Sequence, residues 1–174
     1  MKNKYYKFSI VVFFIFTFLI FYYGLKQKNF YTPENISIKT LPNLFLKDFY
    51  TNNETSFNDI LIDSNYYLIN IWSSWCEPCR DESDKLLELK NDTTIMMIGI
   101  NYKDKKKNAL NFLKLYGNPF EEIFVDKQGT ISINFGAYGV PETFLINNDN
   151  KVLKKYIGPL NDEDVYEIKK ITKN

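Results

Sequence analysis

The chain has 174 residues, 45% of them hydrophobic and 17% aromatic, a length that suits one domain of ordinary size with a buried core. Two cysteines and no histidine exclude a disulfide-built scaffold, Ser-His or Cys-His catalysis, and any imidazole-ligated metal or haem within this chain. The net charge of +1 is uneven: residues 1–28 carry five lysines and no acid, which leaves 17 basic against 21 acidic residues beyond them. That mildly acidic remainder predicts no binding of nucleic acid.

The N-terminus carries an uncharged apolar stretch of 18 residues, 8–25, which predicts a transmembrane helix. At about 1.5 Å per residue such a helix spans roughly 27 Å, close to the thickness of the bilayer hydrocarbon. A cleaved signal peptide is the alternative, but the stretch exceeds the usual ~7–15 apolar residues and no small-x-small cleavage site follows it. We therefore expect a membrane anchor over residues 1–28, a polar tether over 29–40 and a second domain over 41–174.

The second domain begins its regular pattern with a short apolar run, 67–72 (YLINIW), which predicts a buried strand. Pro78 then stands where the first turn of a helix tolerates proline. Four residues share one face of this helix: Cys79, Ser83, Leu86 and Leu87. Residues 94–101 (TIMMIGIN) predict a second strand.

The next predicted helix is capped by Asp104 and ends at Gly117. Its apolar residues recur at helical spacing: Ala109, Phe112, Leu113 and Tyr116. Residues 122–126 predict a third strand, and segments 143–146 and 151–157 predict a hairpin around the turn NNDN.

A final short helix is predicted to open at Asn161 and to turn Val165, Ile168 and Ile171 inward. The order β-α-β-α-β followed by β-β-α predicts an α/β fold, with helices covering both faces of a sheet.

The only two cysteines, Cys76 and Cys79, form a C-x-x-C pair between the first strand and the following helix. Attachment of c-type haem needs histidine at position 80, which is Arg80, and a structural zinc site needs four ligands. A structural disulfide across two residues would constrain the unfolded chain little. The pattern therefore favours a redox-active dithiol over a structural or metal-binding pair.

Position along the predicted helix assigns different roles to the two thiols. Cys76 would lie at the helix N-terminus, where unpaired N–H groups and the dipole stabilise a thiolate, so we expect it to attack. Cys79 lies one turn further in, and we expect it to be more buried and to resolve a mixed disulfide on Cys76. The carboxylate of Glu77 opposes formation of the thiolate, and Arg80 partly offsets it.

The segment 70–80 (NIWSSWCEPCR) resembles the active-site segment of thioredoxin-fold proteins. Together with segments 101–120 (NYKDKKKNALNFLKLYGNPF) and 135–147 (FGAYGVPETFLIN), it resembles the membrane-anchored thiol:disulfide interchange proteins of the DsbE/CcmG type, which serve cytochrome c maturation. The resemblance covers roughly residues 41–171. It implies a thioredoxin fold, with a central mixed sheet flanked by helices and a TlpA-like N-terminal extension.

The resemblance also implies a substrate-facing loop around Pro141. Pro141 matches a cis-proline opposite the dithiol, although a trans-proline beginning an edge strand is the structural alternative. The backbone at Val140 would pair with an extended substrate segment. Tyr138 belongs to the same loop, and Glu142 matches an acidic residue near the dithiol, with a plain exposed charge as its alternative.

Other residues around the dithiol have expected roles. Trp75 and Pro78 are expected to support the site, with Trp75 partly exposed and Trp72 mostly buried. Thioredoxin carries a buried aspartate six residues before its first cysteine, whereas this chain has Asn70, which cannot carry a proton. We therefore expect water or another carboxylate to handle the proton, with Glu142 as the candidate.

The resemblance implies a periplasmic thiol–disulfide oxidoreductase, anchored by one span in the bacterial inner membrane, that reduces apocytochrome c or its maturation partners for haem attachment. It implies no cofactor and no metal, and a membrane thiol reductant donor of the DsbD/CcdA-like class as partner. Three lysines before the apolar stretch against two after it favour a cytoplasmic N-terminus. Two alternatives stay open: a general periplasmic disulfide reductase or oxidant, and a membrane-tethered docking module with a structural disulfide.

Overall fold

The N-terminal apolar stretch forms one long helix, α1 (Lys2–Lys26). The computed structural model describes residues 2–26, 39–61, 64–92 and 94–173, and the chain divides into two units, Met1–Ser37 and Ile38–Asn174. Within α1 the segment Tyr5–Gly24 is long and apolar enough to cross a membrane. Its large apolar side chains are exposed on all sides of the helix, as in a lipid-facing span rather than in an amphipathic surface helix.

The second unit is built on a seven-stranded sheet in the order β2-β1-β5-β4-β3-β6-β7. Its elements in chain order are β1 (Phe45–Asp48), β2 (Glu54–Ser56), α2 (Phe57–Ile60), β3 (Tyr66–Trp72), α3 (Glu77–Asp81), α4 (Ser83–Lys90), β4 (Ile95–Tyr102), α5 (Lys106–Tyr116), β5 (Glu122–Asp126), α6 (Thr130–Asn134), β6 (Glu142–Asn147), β7 (Val152–Ile157) and α7 (Asp162–Thr172). Strands β3, β4 and β5 run parallel, whereas β1, β6 and β7 pair antiparallel with their neighbours. The sheet is therefore mixed.

Each face of the sheet buries its own hydrophobic cluster because β3 and β4 are apolar on both sides. One cluster lies under α4, α5 and α7 and includes both cysteines. The other lies under α2 and the end of α6, where Phe57 packs against Phe135. This arrangement confirms the predicted thioredoxin-like α/β fold with helices on both faces.

The N-terminal extension of the fold consists of the β1–β2 hairpin and α2, and sequence analysis predicted none of these three elements individually. They are short, and their partner is the distant β5, with which β1 pairs antiparallel. Residues 39 and 40, predicted as part of the tether, join the opposite edge of the sheet: Thr40 bridges to Lys151, and the Val152 amide donates to the Lys39 carbonyl. The rest of the predicted tether, 29–38, lies outside the described residues.

Two predicted helix caps have different outcomes. The Asn161 side chain accepts hydrogen bonds from the first turn of α7 and forms a reciprocal capping box with Asp164, as expected. The Asp104 cap is wrong, because Lys105 is the N-cap of α5 and makes no side-chain cap. The Asp104 carboxylate instead binds Ser74, which lies beside the cysteines.

Candidate active site

The two cysteines form a disulfide at the start of α3, just beyond the carboxyl end of β3. Cys76 is the N-cap residue, and its Sγ accepts a hydrogen bond of 3.1 Å from the Cys79 backbone N–H. Pro78 occupies the first turn, where its missing N–H leaves no helical bond unmade. The sulfur of Cys76 therefore lies at the helix N-terminus, as the sequence predicts.

Both cysteines are buried in this oxidised state, at 3% exposure for Cys76 and 2% for Cys79. The expected difference in burial between them is not seen in the disulfide form. Their distinction is positional, since only Cys76 receives a helix N-terminal N–H.

The loop between β3 and Cys76 is fastened to the loop after β4. The Ser74 amide and hydroxyl donate to the two carboxylate oxygens of Asp104, at 2.6 and 2.8 Å. The Trp75 indole N–H donates to the Lys103 carbonyl at 3.1 Å, and its ring stays 57% exposed. Trp72 is buried between Phe112 and Phe120. The exposures expected for the two tryptophans are thus observed.

The predicted substrate-facing loop lies beside the disulfide through strand pairing. Glu142 at the start of β6 pairs with Ile71, so Pro141 lies next to the end of β3, which leads to Cys76. The Val140–Pro141 peptide bond is cis, as expected. Val140 is half-buried and packs against the cluster that contains both cysteines. Tyr138, by contrast, is exposed.

Glu142 is buried, not an exposed charge. Its Oε1 accepts hydrogen bonds from the backbone N–H groups of Tyr138 and Gly139, at 2.6 and 2.9 Å. Its Oε2 lies 2.7 Å from the Nζ of Lys155. The first oxygen thus holds the loop before the cis-proline, and the second pairs with a lysine of β7.

A second buried carboxylate, Glu82, lies one helical turn after Cys79 and was not singled out by sequence analysis. It is fully buried, and its two oxygens accept from the Asn70 side-chain amide at 2.8 Å and the Leu160 backbone N–H at 2.9 Å. Burial raises the pKa of the Glu82 carboxyl from 4.5 to about 7, although the hydrogen bonds from Leu160 and Asn70 act in the opposite direction. A carboxyl with this pKa can take up and release a proton near neutral pH.

The signal for Glu82 was present in the sequence. Cys79, Ser83 and Leu86 were predicted to share one helical face, and a residue three positions after Cys79 lies on that face. Cys79, Ser83 and Leu86 are indeed buried, whereas Leu87 is only half-buried.

Among the described residues, no group of three His, Cys, Asp or Glu side chains could hold a metal ion.

Comparison with known proteins identifies a family for this chain. Residues 38–171 match the family model described as Redoxin. The thiol:disulfide interchange protein CycY of Rhizobium leguminosarum bv. viciae is 42% identical over 104 residues, which are 60% of this chain and 56% of that protein. The thiol:disulfide interchange protein DsbE of Allochromatium vinosum is 33% identical over 141 residues, 81% of this chain and 77% of that protein. The match thus represents between about half and three quarters of these relatives' own lengths.

Solved structures show the same fold at lower identity. A thiol:disulfide interchange protein from Bacteroides sp. superposes with a TM-score of 0.65 at 18% identity, covering 78% of this chain and 90% of that one. StoA from Bacillus subtilis gives a TM-score of 0.59 at 20% identity, covering 75% of this chain and 98% of that one.

Proposed function

The chain belongs to the redoxin family, among the thiol:disulfide interchange proteins of the DsbE type, and from this premise we propose that it is a thiol–disulfide oxidoreductase acting as a reductase in cytochrome c maturation. One observation carries the proposal: the Cys76 sulfur of the disulfide caps a helix, and three residues after Cys79 lies the buried carboxyl of Glu82, whose pKa is about 7. A structural disulfide does not need a titrating carboxyl so close to it in the helix.

The reaction starts from the reduced pair. The Cys76 thiolate, stabilised by the helix N-terminus, forms a bond to one sulfur of a target disulfide, and the other target sulfur leaves as a thiolate. Cys79 then loses its proton and attacks the Sγ of Cys76, which releases the second target sulfur. The target gains two electrons, and its sulfurs take up protons from Cys79 and solvent. The enzyme is left as the disulfide present in the structure.

Glu82 is the group that we assign to the proton of Cys79. It shares the inner helix face with Cys79, is fully buried, and has a pKa of about 7. Asn70 cannot titrate, but its amide orients the Glu82 carboxyl. In the part of the chain that the structure describes, the Glu142 carboxylate contacts Lys155 and the loop, so we assign the proton-handling role expected for Glu142 to Glu82 instead.

The substrate class that we propose is a protein disulfide, in apocytochrome c or in a protein of its maturation. Reduction of its two cysteines frees them to form thioethers with haem. We place the catalytic domain in the periplasm, tethered by α1 to the inner membrane, where a DsbD/CcdA-like thiol donor returns Cys76 and Cys79 to the reduced state. Anchoring raises the effective concentration of the enzyme near such membrane partners.

Trapping of mixed disulfides tests this function. In the full-length chain, Cys79→Ser removes the resolving thiol, so Cys76 should stay bound to its target. Mass spectrometry of the trapped complexes is expected to identify an apocytochrome or a maturation protein. The double variant Cys76→Ser/Cys79→Ser is the control and should trap nothing. Recovery of only unrelated periplasmic proteins would support a general reductase instead.

A further inference from the structure

Lys155, on β7, contacts Glu142 and two residues of the loop that leads to the cis-proline, and its Nζ also lies 5.3 Å from the centre of the Phe144 ring. Its Nζ lies 2.7 Å from Glu142 Oε2 and 2.8 Å from the Gly136 carbonyl oxygen, and it lies 4.1 Å from the centre of the Tyr138 ring. Its side chain is only 20% exposed. The ammonium group is therefore surrounded by a carboxylate, a carbonyl oxygen and an aromatic ring, and is largely withdrawn from solvent.

The contacts of Lys155 fasten the loop at both ends. Gly136 at the start of the loop is held directly through its carbonyl. The far end is held through Glu142, whose other oxygen accepts from the amides of Tyr138 and Gly139. Lys155 therefore holds the backbone from Gly136 to Gly139, directly at Gly136 and through Glu142 at Tyr138 and Gly139.

Tyr138 is 57% exposed, although its backbone N–H is held by Glu142. The arrangement therefore presents the Tyr138 ring to solvent. A large apolar ring held over a cation is ordered without being buried, and exposed aromatic side chains of this kind are characteristic contact residues for protein partners. Two residues further on, Val140 packs on the cluster that holds the disulfide. Because Pro141 lies next to the end of β3, which leads to Cys76, we expect a polypeptide whose disulfide reaches Cys76 to lie along this loop. A small disulfide has no extended chain that could do so.

Resting on the proposed function, we propose that Lys155 is a positioning residue for protein substrates: it holds the loop 136–140 and the Tyr138 ring in the shape on which a polypeptide disulfide docks. Removing the Lys155 charge leaves the Glu142 carboxylate buried without its cation and the Gly136 carbonyl without its donor. The loop then loses its shape while the Cys76–Cys79 pair and Glu82, which make no contact with Lys155 in the described structure, keep theirs.

The test compares two substrates in single-turnover reactions of the reduced full-length chain in detergent. One is apocytochrome c with its haem-binding cysteines joined as a disulfide, and the other is the small aromatic disulfide 5,5′-dithiobis(2-nitrobenzoate). Lys155→Met is expected to lower the second-order rate constant for apocytochrome c by roughly tenfold or more, mainly because the protein substrate binds more weakly. The rate with the small disulfide and the reduction potential of the cysteine pair should not change.

Matched variants distinguish a loss of loop positioning from a general loss of folding or activity. Lys154 is the neighbour on the opposite face of β7 and forms a surface ion pair with Glu167, so Lys154→Met should leave both rates unchanged. Lys155→Arg retains the charge and should restore most of the apocytochrome rate. If Lys155→Met fails to fold, Tyr138→Ala at an exposed site should show the same selective loss.

Three outcomes overturn the inference: an undiminished apocytochrome rate in Lys155→Met, an equal loss with both substrates in that variant, or an undiminished apocytochrome rate in Tyr138→Ala. Failure of the proposed function is distinguishable from all three, because the unmodified chain would then not reduce apocytochrome c at all.

Discussion

The side-chain amide of Asn70 donates a 2.8 Å hydrogen bond to the buried carboxyl of Glu82, and the same amide donates to Thr143 Oγ1 at 3.0 Å. Asn70 lies on β3, Glu82 on the helical segment that carries Cys79, and Thr143 two residues after the cis-proline. One amide thus joins the three elements that build the site. At the position where thioredoxin has its proton-carrying aspartate, this chain has the residue that orients a different carboxyl.

Glu82→Gln should slow the step that requires deprotonation of Cys79. Loss of a general acid–base group costs about a hundredfold or more in rate. The pH profile of mixed-disulfide resolution, followed by stopped-flow, should show an inflection near pH 7 in the unmodified chain and none in the variant. Glu88→Gln is the matched control, because Glu88 lies on α4, which begins directly after Glu82, and its side chain only pairs at the surface with Lys169 of α7. Identical pH profiles for Glu82→Gln and the unmodified chain would remove Glu82 from the mechanism.

The raised pKa of Glu82 also predicts a pH dependence of stability. Below about pH 4.5 the carboxyl is protonated in both folded and unfolded chains, so it contributes no pH dependence there. Between about pH 4.5 and 7 the unfolded chain releases this proton while the folded chain retains it. The free energy of unfolding contributed by this group therefore falls as the pH rises through this window, by about 3 kcal/mol, and levels off above pH 7.

Urea unfolding of the oxidised full-length chain in detergent, followed by tryptophan fluorescence at pH 5 and pH 8, measures this effect. Glu82→Gln should lose most of the difference between the two pH values. An equally large difference in the variant would assign it to other groups.

Asp104→Ala should destabilise the loop that carries Trp75. The change leaves the amide and hydroxyl of Ser74 without their acceptor, at a cost of about 1–3 kcal/mol. A lower urea midpoint and an altered Trp75 emission are expected. Asp81→Ala, at an exposed position of α3, is the control and should change the free energy of unfolding by less than about 0.5 kcal/mol. A shift of the same size in both variants would contradict the role assigned to Asp104.

The proposed reductase should have a low reduction potential. Equilibration of the full-length chain with glutathione redox buffers, with alkylation as the readout, should give a value of roughly −270 to −200 mV. A value of about −120 mV would identify an oxidant.

The docking-module alternative has its own test. Replacing both cysteines with serine would leave a docking function intact and should abolish the reductase activity.

The helix α1 should act as a permanent anchor. Membranes washed with alkaline carbonate should retain the chain at its full mass, because the segment Tyr5–Gly24 is long enough to span the hydrocarbon layer. Deletion of residues 1–28 should move the protein to the soluble fraction. A shorter, carbonate-extractable mature form of the full-length chain would show instead that the segment is a cleaved leader.

The sequence alone determined the features that depend on neighbouring residues. The spacing of Cys76 and Cys79 with Pro78 between them specified a dithiol at a helix start, and the alternation of apolar runs and amphipathic stretches specified the layered α/β fold. The resemblance of the loop around Pro141 identified the cis-proline. Local spacing carries this information because helix faces and strand faces repeat every few residues.

Only the tertiary structure decided what each carboxylate does. In the sequence Glu82 lies three residues after Cys79, and Glu142 directly follows Pro141, but the partners that decide their roles lie elsewhere in the chain. Leu160 is 78 residues from Glu82, and Lys155 approaches Glu142 across a hairpin. Burial raises the pKa of Glu82, against the opposing effect of its hydrogen bonds from Leu160 and Asn70. A lysine and two loop amides instead make Glu142 the group that fastens the loop. Burial and opposing charge determine the chemistry of a carboxyl, and both are properties of the folded chain rather than of its local sequence.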